Sequence, residues 1–294
     1  MASGVDFLRA GSIGEAVELL STWGGDARPM AGGTDVMIQL RAGQLCPRAL
    51  LHLGDLPEAD GVREGDEFRF GALTTHEQVW RSPAVTTRLR GVALAARQVG
   101  GWQTQAIGTV VGNIANASPA ADLVPPLLTA DARVELTGPG GTRTVPLNGF
   151  LVGRRRIAKE PDELITGVSA VPAGPATADH FVKVGRRSAM EVSIVSAAIR
   201  LTAGPDGTVQ DCRIAVGAAG PVPFRAEEAE LLLRGARPGT ELFSEAAAAA
   251  AARATPIDDI RASARYRHQV LPRVIAKALQ DCWHQIGIEK EVSA

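Results

Sequence analysis

The sequence predicts an α+β chain laid out in three consecutive regions, and three observations carry that reading. Short apolar strands alternate with amphipathic helical stretches in the first part, a hairpin signal closes the middle, and a long helical tract follows two alternating strands at the end.

Ser12 and Glu15 form a capping box ahead of AVELLSTW (16–23), an amphipathic helix stopped by Gly24-Gly25, and ARPMAGG (27–33) follows as a short strand. The opening is therefore β-α-β. Asp35 caps the helix VMIQLRAG (36–43), Gly43 ends it, and ALLHLGDL (49–56) is another strand, so that residues 1–56 form a small α/β unit. The pattern changes from residue 57. A strand EFRFGAL (67–73) leads to a helix capped by Thr75 and Gln78, then to a longer helix around TRLRGVALAARQV (87–99) and a glycine-rich stretch from Gly100 to Asn113. The hairpin ARVELTGPGGTRTVPL (132–147) lies towards the end of this second region, 57–173. The third, 174–294, starts within the linker-like VPAGPATADH (171–180). It continues as two alternating strands joined at Pro205-Asp206-Gly207, and helices fill residues 225–286. No internal repeat of solenoid period is present.

Composition excludes several classes. With 45% apolar and 21% charged residues, the 294-residue chain has the make-up of a globular enzyme. A net charge of −1 gives no basic field to gather nucleic acid, and the densest basic cluster, Arg154-Arg155-Arg156, reads as a solvated loop. MASGVDFLRAGS lacks the charged and apolar segments of a leader, and no stretch approaches the ~20 apolar residues of a membrane span. EAAAAAAARA (245–254) is alanine, which forms helix readily but is weakly hydrophobic. Cys46, Cys212 and Cys282 are scattered singly, without the spacing of a disulfide framework, zinc site or iron–sulfur cluster. The expectation is a cytoplasmic chain with no metal of its own. His52, His76, His180, His268 and His284 stand apart and read as structural or surface residues, so no catalytic side chain is assigned.

Two stretches of bare backbone point to a ligand. MAGGTDVM (30–37) passes from a strand to a helix, and a second glycine-rich loop begins about seventy residues later. Converging on one extended anion, they would suit a diphosphate. Glycine lets N–H groups approach phosphate oxygens without an intervening Cβ, Thr34 and Thr109 add hydroxyls, and the helix start after Asp35 adds a favourable dipole. Asp35 itself would repel phosphate and is assigned to capping. Neither loop has the spacing of the P-loop or the full dinucleotide fingerprint.

Four segments in order, PMAGGTDVMIQLRAG, GTVVGNIANASPAADLVPPLLTADARVEL, FVKVGRRSAMEVSIVSAAIRL and DIRASARYR, resemble the FAD-binding medium subunit of the molybdenum hydroxylases. That family comprises the carbon monoxide dehydrogenase medium subunits and the flavin domain of xanthine dehydrogenase. The resemblance runs over essentially the whole chain. It implies a p-cresol methylhydroxylase-like FAD-binding fold: a small α/β subdomain, a larger α+β subdomain, and a C-terminal domain of antiparallel sheet and helices. It also implies FAD as cofactor, and as partners an iron–sulfur small subunit and a molybdopterin large subunit. In such a hetero-oligomer this subunit relays electrons between the partner's 2Fe-2S clusters and an external acceptor.

Carried over residue by residue, the resemblance puts Met30, Ala31, Gly32, Gly33, Thr34, Asp35, Val36 and Met37 in the first FAD loop. Thr109, Val110, Val111, Gly112 and Asn113 form the second. Asp122 falls where the family places a carboxylate on the nucleotide part of FAD, where it could accept from ribose hydroxyls. Val99, Ile165 and Lys183 match further cofactor-contacting positions, and Val192 falls near an aliphatic residue over the flavin ring. Tyr266 is expected to tie the C-terminal helix to its neighbours.

Two departures matter. The family's second loop usually has Gly-Gly before Asn, whereas here it is Val111-Gly112; at a positive φ this valine would be strained by about 1–3 kcal/mol. The four-cysteine cluster loop of the benzoyl-CoA reductase relatives has no counterpart in three isolated cysteines. Two other readings stay open: a self-sufficient flavin-dependent oxidoreductase, and an FAD-free scaffold subunit.

Overall fold

The computed structural model describes residues 4–59, 61–187 and 190–292. The first unit comprises β1 (Asp6–Arg9), α1 (Ile13–Trp23), β2 (Ala27–Met30), α2 (Val36–Arg41) and β3 (Ala49–His52). Its strands form a parallel sheet in the order β1-β3-β2. Ser12 Oγ accepts the Glu15 N–H at 3.1 Å, and the Glu15 carboxylate accepts from Gly11, so the reciprocal bond reaches one residue further back than a capping box. The strand expected over 49–56 stops at His52.

The middle unit contains β4 (Val62–Arg63), β5 (Phe68–Gly71), α3 (His76–Arg81), α4 (Pro83–Arg88), α5 (Arg90–Arg97), α6 (Trp102–Ile107), α7 (Val110–Ala115) and α8 (Val124–Thr129). The strands β6 (Arg133–Gly138), β7 (Gly141–Pro146), β8 (Leu151–Gly153), β9 (Arg156–Ile157) and β10 (Leu164–Ala170) complete it. Five strands make an antiparallel sheet ordered β4-β5-β10-β6-β7, and β8 pairs with β9. The Thr75/Gln78 capping box starts α3 as the sequence predicts. The single helix expected around 87–99 is two, because Ser82 caps α4 with Pro83 in its first turn and the backbone at Leu89 turns away from helical values before α5. The glycine-rich stretch is itself largely helical, forming α6 and α7.

The last unit is an antiparallel sheet of β11 (Thr177–Val184), β12 (Val195–Ala203), β13 (Val209–Gly217) and β14 (Phe224–Arg225), followed by α9 (Glu227–Leu233), α10 (Thr240–Ala252) and α11 (Ala264–Val292). Of the two alternating strands, β12 is buried on both faces and β13 only from Ile214 onward. Ala198 and Ala215 join the core of the middle unit, while Ala197, Ile199 and Ile214 pack against the helices. The polar alternates lie in the seam: Arg200 pairs with buried Asp179 at 2.8 Å, and Asp179 also accepts the Gly91 N–H at the start of α5. The alanine run gives α10 a narrow buried face, Ala246, Ala247, Ala250 and Ala251, that lets helices approach closely.

Tyr266 does not tie down α11. It is 45% exposed, and its buried neighbour Arg267 does so instead, donating to the carbonyls of Ile194 (2.5 Å) and Ala218 (3.0 Å) and to Asp259 (2.8 Å).

Candidate functional site

Both glycine loops line a cavity of about 110 Å³, and Ala31, Gly32 and Thr109 also border a larger one of about 610 Å³. Ala31 to Val36 line the smaller from the end of β2, and Thr109, Gly112 and Asn113 from the start of α7, with Val99, Thr104 and His76 between them. The loops hold each other. Gly32 passes so near α6 that an added Cβ would lie 1.7 Å from the Ile107 carbonyl oxygen, and Gln39 of α2 donates to Asn116 at the end of α7 at 3.1 Å. The second loop is anchored to α3 through His76 N–H to Gly108 (3.0 Å) and Val110 N–H to Thr74 (3.0 Å).

Consecutive backbone N–H groups from Ala31 to Val36 donate to no group among the described residues. Facing a cavity, such a row forms a concave donor set suited to an anion. The dipole expected from the helix after Asp35 adds little, because α2 and α7 have six residues each. Asp35 makes no side-chain cap, contrary to its assignment; its own backbone is already helical, so the carboxylate is not presented to the first-turn amides. Thr109 does cap, accepting the Gly112 N–H at 2.9 Å.

A second cavity, of about 90 Å³, adjoins the first through Arg28, Pro29, Ala31, Gly112 and Ala115. Its wall is mainly apolar, with Leu53, Ala72, Val111 and Ile165, the last at a register shift in β10. A third, of about 460 Å³, begins at Gly100, next in sequence to Val99, and is lined by Trp80, Trp102, Lys183 and Met190 among others. Together the three fall within the roughly 300–1,000 Å³ usual for ligand sites.

The remaining residues singled out in the sequence divide. Val110 is buried in the core of the middle unit. Val111 lies in the right-handed helix α7, not at a positive φ, so it carries no strain, and its side chain is packed in the core. Met30 and Met37 both lie against Gly33, and Met37 remains 39% exposed. Val192, 42% exposed, lines none of the three cavities. Asp122 lines none of the three cavities. One of its oxygens accepts from Lys183 at 2.6 Å, the other from Ser193 at 2.5 Å, and Lys183 also donates to the Gln98 carbonyl at 2.9 Å. Burial pushes the Asp122 carboxyl up, while the Lys183 and Ser193 contacts oppose that shift. Asp122 thereby fixes Lys183 at the wall of the third cavity.

Sequence reasoning missed His76, Arg28 and Arg155. His76 is buried with Nδ1 unpartnered, and desolvation lowers its pKa to about 4. Arg28 had a signal, a cation on the strand leading into an anion-binding loop. Arg155 had only its place in an arginine run.

An α+β scaffold with two glycine loops, a row of free amides, two adjoining cavities and a third close by in the chain defines a protein that binds an extended anionic cofactor. Residues 3–173 match the FAD binding domain in molybdopterin dehydrogenase, and residues 180–282 the CO dehydrogenase flavoprotein C-terminal domain. The carbon monoxide dehydrogenase medium chain of Hydrogenophaga pseudoflava is 32% identical over 92% of this chain and 94% of its own length. The putative xanthine dehydrogenase FAD-binding subunit of Escherichia coli K12 is 30% identical over 93% and 94%. A solved structure of carbon monoxide dehydrogenase from H. pseudoflava superposes with a TM-score of 0.92 at 30% identity over 97% and 99% of the two chains. Quinoline 2-oxidoreductase from Pseudomonas putida 86 shares the fold, with a TM-score of 0.89. The chain belongs to the FAD-binding family of molybdopterin dehydrogenases; it is an oxidoreductase flavoprotein subunit, and FAD is its cofactor. The free amides of the first loop and the anion-suited cavity fit that cofactor. Among the described residues no helix is long and apolar enough to cross a membrane.

Proposed function

We propose that the chain is the electron-relay subunit of a heteromeric molybdenum hydroxylase, working between a partner's 2Fe-2S clusters and an external acceptor. In this reading the first cavity takes the diphosphate, the apolar second cavity the nucleoside end, and the third the flavin end. FAD, when bound, exchanges single electrons with a cluster and electron pairs with an acceptor. The protein's own residues bind and orient it. Ala31 to Val36 carry the phosphates, with Thr109, Gly112 and Asn113 facing them from the second loop; Val111 and Ile165 pack the nucleoside, and Lys183, positioned by Asp122, borders the ring.

Regions 1–56 and 57–173 supply the nucleotide site in this scheme, and 174–294 contributes Lys183 and a face for assembly. The observation that carries the relay reading is Trp102, which is 77% exposed on the wall of the third cavity. An indole left uncovered beside the flavin end suits docking of a partner, and relatives named as medium chains and FAD-binding subunits support an iron–sulfur small subunit and a molybdopterin large subunit as those partners. Three free cysteines, two of them buried, support a cytoplasmic assembly.

Stopped-flow mixing of the FAD-loaded chain with a reduced iron–sulfur partner should show cluster-dependent flavin reduction, and slow reduction without it. Full substrate turnover by the purified chain alone would overturn the relay in favour of a self-sufficient oxidoreductase.

A further inference from the structure

Arg28 lies on the strand that enters the first glycine loop, and its side chain lines both the first and the second cavity. A half-buried guanidinium is normally offset by a carboxylate. Arg28 makes no ion pair or side-chain hydrogen bond with any described residue, and its electrostatic neighbours are other cations, Arg155 and Lys159; burial first, and the repulsion from Arg155 second, lower its proton affinity. Arg155 is fixed in place. Its backbone is left-handed (φ 59), its N–H donates to the Ala117 carbonyl at 2.9 Å, and its guanidinium donates to Asn116 Oδ1 at 2.6 Å on the wall of the first cavity.

The other charges at these cavities are engaged or exposed. Arg143 binds both oxygens of Glu163, the Lys159 ammonium rests on the carbonyls of Glu160, Pro161 and Glu163, and Asp35 is exposed at the rim. Two guanidinium groups therefore stand beside a row of free N–H donors without a counter-charge from the protein. Beyond Arg28 the wall is mainly apolar, its Lys159 and Glu163 already engaged, so a ligand crossing this point would carry phosphate on one side and an apolar ring on the other.

We propose that Arg28, assisted by Arg155, is the cationic wall of the phosphate site, and that it selects ligands in which a diphosphate is joined to a nucleoside. The proposal rests on the flavoprotein reading and deepens it by assigning ligand selection to a side chain outside both glycine loops.

Flavin-depleted full-length chain is titrated with FAD, ADP and riboflavin by calorimetry, at several salt concentrations. Arg28→Met should weaken FAD and ADP by about tenfold or more and Arg155→Met by about threefold, with riboflavin unchanged and a shallower salt dependence. Without ligand, Arg28→Met should melt no lower than wild type, because the removed charge had no partner; a purely structural arginine would lower the melting temperature. If the depleted chain does not stay folded, the same variants are compared as purified holoprotein by FAD released at rising salt. Wild-type chain that binds no FAD would overturn the flavoprotein reading itself. Wild type that binds FAD, with Arg28→Met binding ADP and FAD equally well, would overturn this inference alone.

Discussion

At the residue scale, Gly32 and Gly33 have different reasons to be glycine. Gly33 has a φ of 68, where a side chain is strained, whereas Gly32 needs the absence of a Cβ against the Ile107 carbonyl. Sequence alone pointed to the loop but attributed its bareness to the ligand, since contact with a segment some seventy-five residues away leaves no local trace. Val111 shows the reverse error: its type suggested strain, but the helix it enters removes any. Val111→Gly should cost about 2–4 kcal/mol through lost core packing and a glycine in a helix, read by urea unfolding of the apo chain. Unchanged stability with tighter FAD binding would restore the strain argument. His76, unreadable as a site residue because burial has no local signature, allows a pH test. Above pH 6.5 neither state carries its proton; as pH falls towards 4 the unfolded state takes one up and the folded state does not. Stability should drop by about 3 kcal/mol across that window and be unaffected by this group above it. The difference between wild type and His76→Gln, measured from pH 7 to 4, should trace that slope; a flat difference would place the imidazole in contact with solvent.

At the element scale, legibility followed the range of the interactions. The Thr75/Gln78 cap, the turn at Gly43 and the 132–147 hairpin are local chemistry and were readable. The break at Leu89 and the double burial of β12 depend on what packs against them. In β12 the alternating pattern was seen, but the polar alternates face a second buried layer where Arg200 meets Asp179. The C-terminal helix makes the same point through adjacent residues. Tyr266 stood out as the only tyrosine, yet Arg267 satisfies two carbonyls and Asp259 in the buried joint. Arg267→Met should cost about 3–5 kcal/mol in chemical unfolding, because it strands these acceptors, and Tyr266→Phe less than about 0.5 kcal/mol. A Tyr266→Phe loss as large as that of Arg267→Met would return the tie to the tyrosine.

At the scale of the whole molecule, the first and second cavities lie between the first and middle units and the third between the middle and last. Lys183 comes from the third unit, Asp122 from the second, and the pair is buried, so it ties the two units together at the wall of the third cavity. In the proposed relay the outer rim of the third cavity is where a partner docks. Trp102 and Met190 line it, 77% and 62% exposed, with Val192 nearby in the chain and Ile260, 88% exposed, linked through its carbonyl to Arg186. A stable partner would need roughly 1,200 Å² of total buried surface, and an indole near the centre of such a patch is the side chain most able to dominate its affinity. Trp102→Ala should therefore weaken binding of the iron–sulfur partner by about 2 kcal/mol or more, some thirtyfold, while the isolated chain keeps its full complement of FAD. Both quantities can be read on one preparation, by surface-immobilised binding and by flavin absorbance. If the variant loses FAD yet associates normally, the indole covers the cofactor rather than a partner, and the docking face lies elsewhere on the molecule.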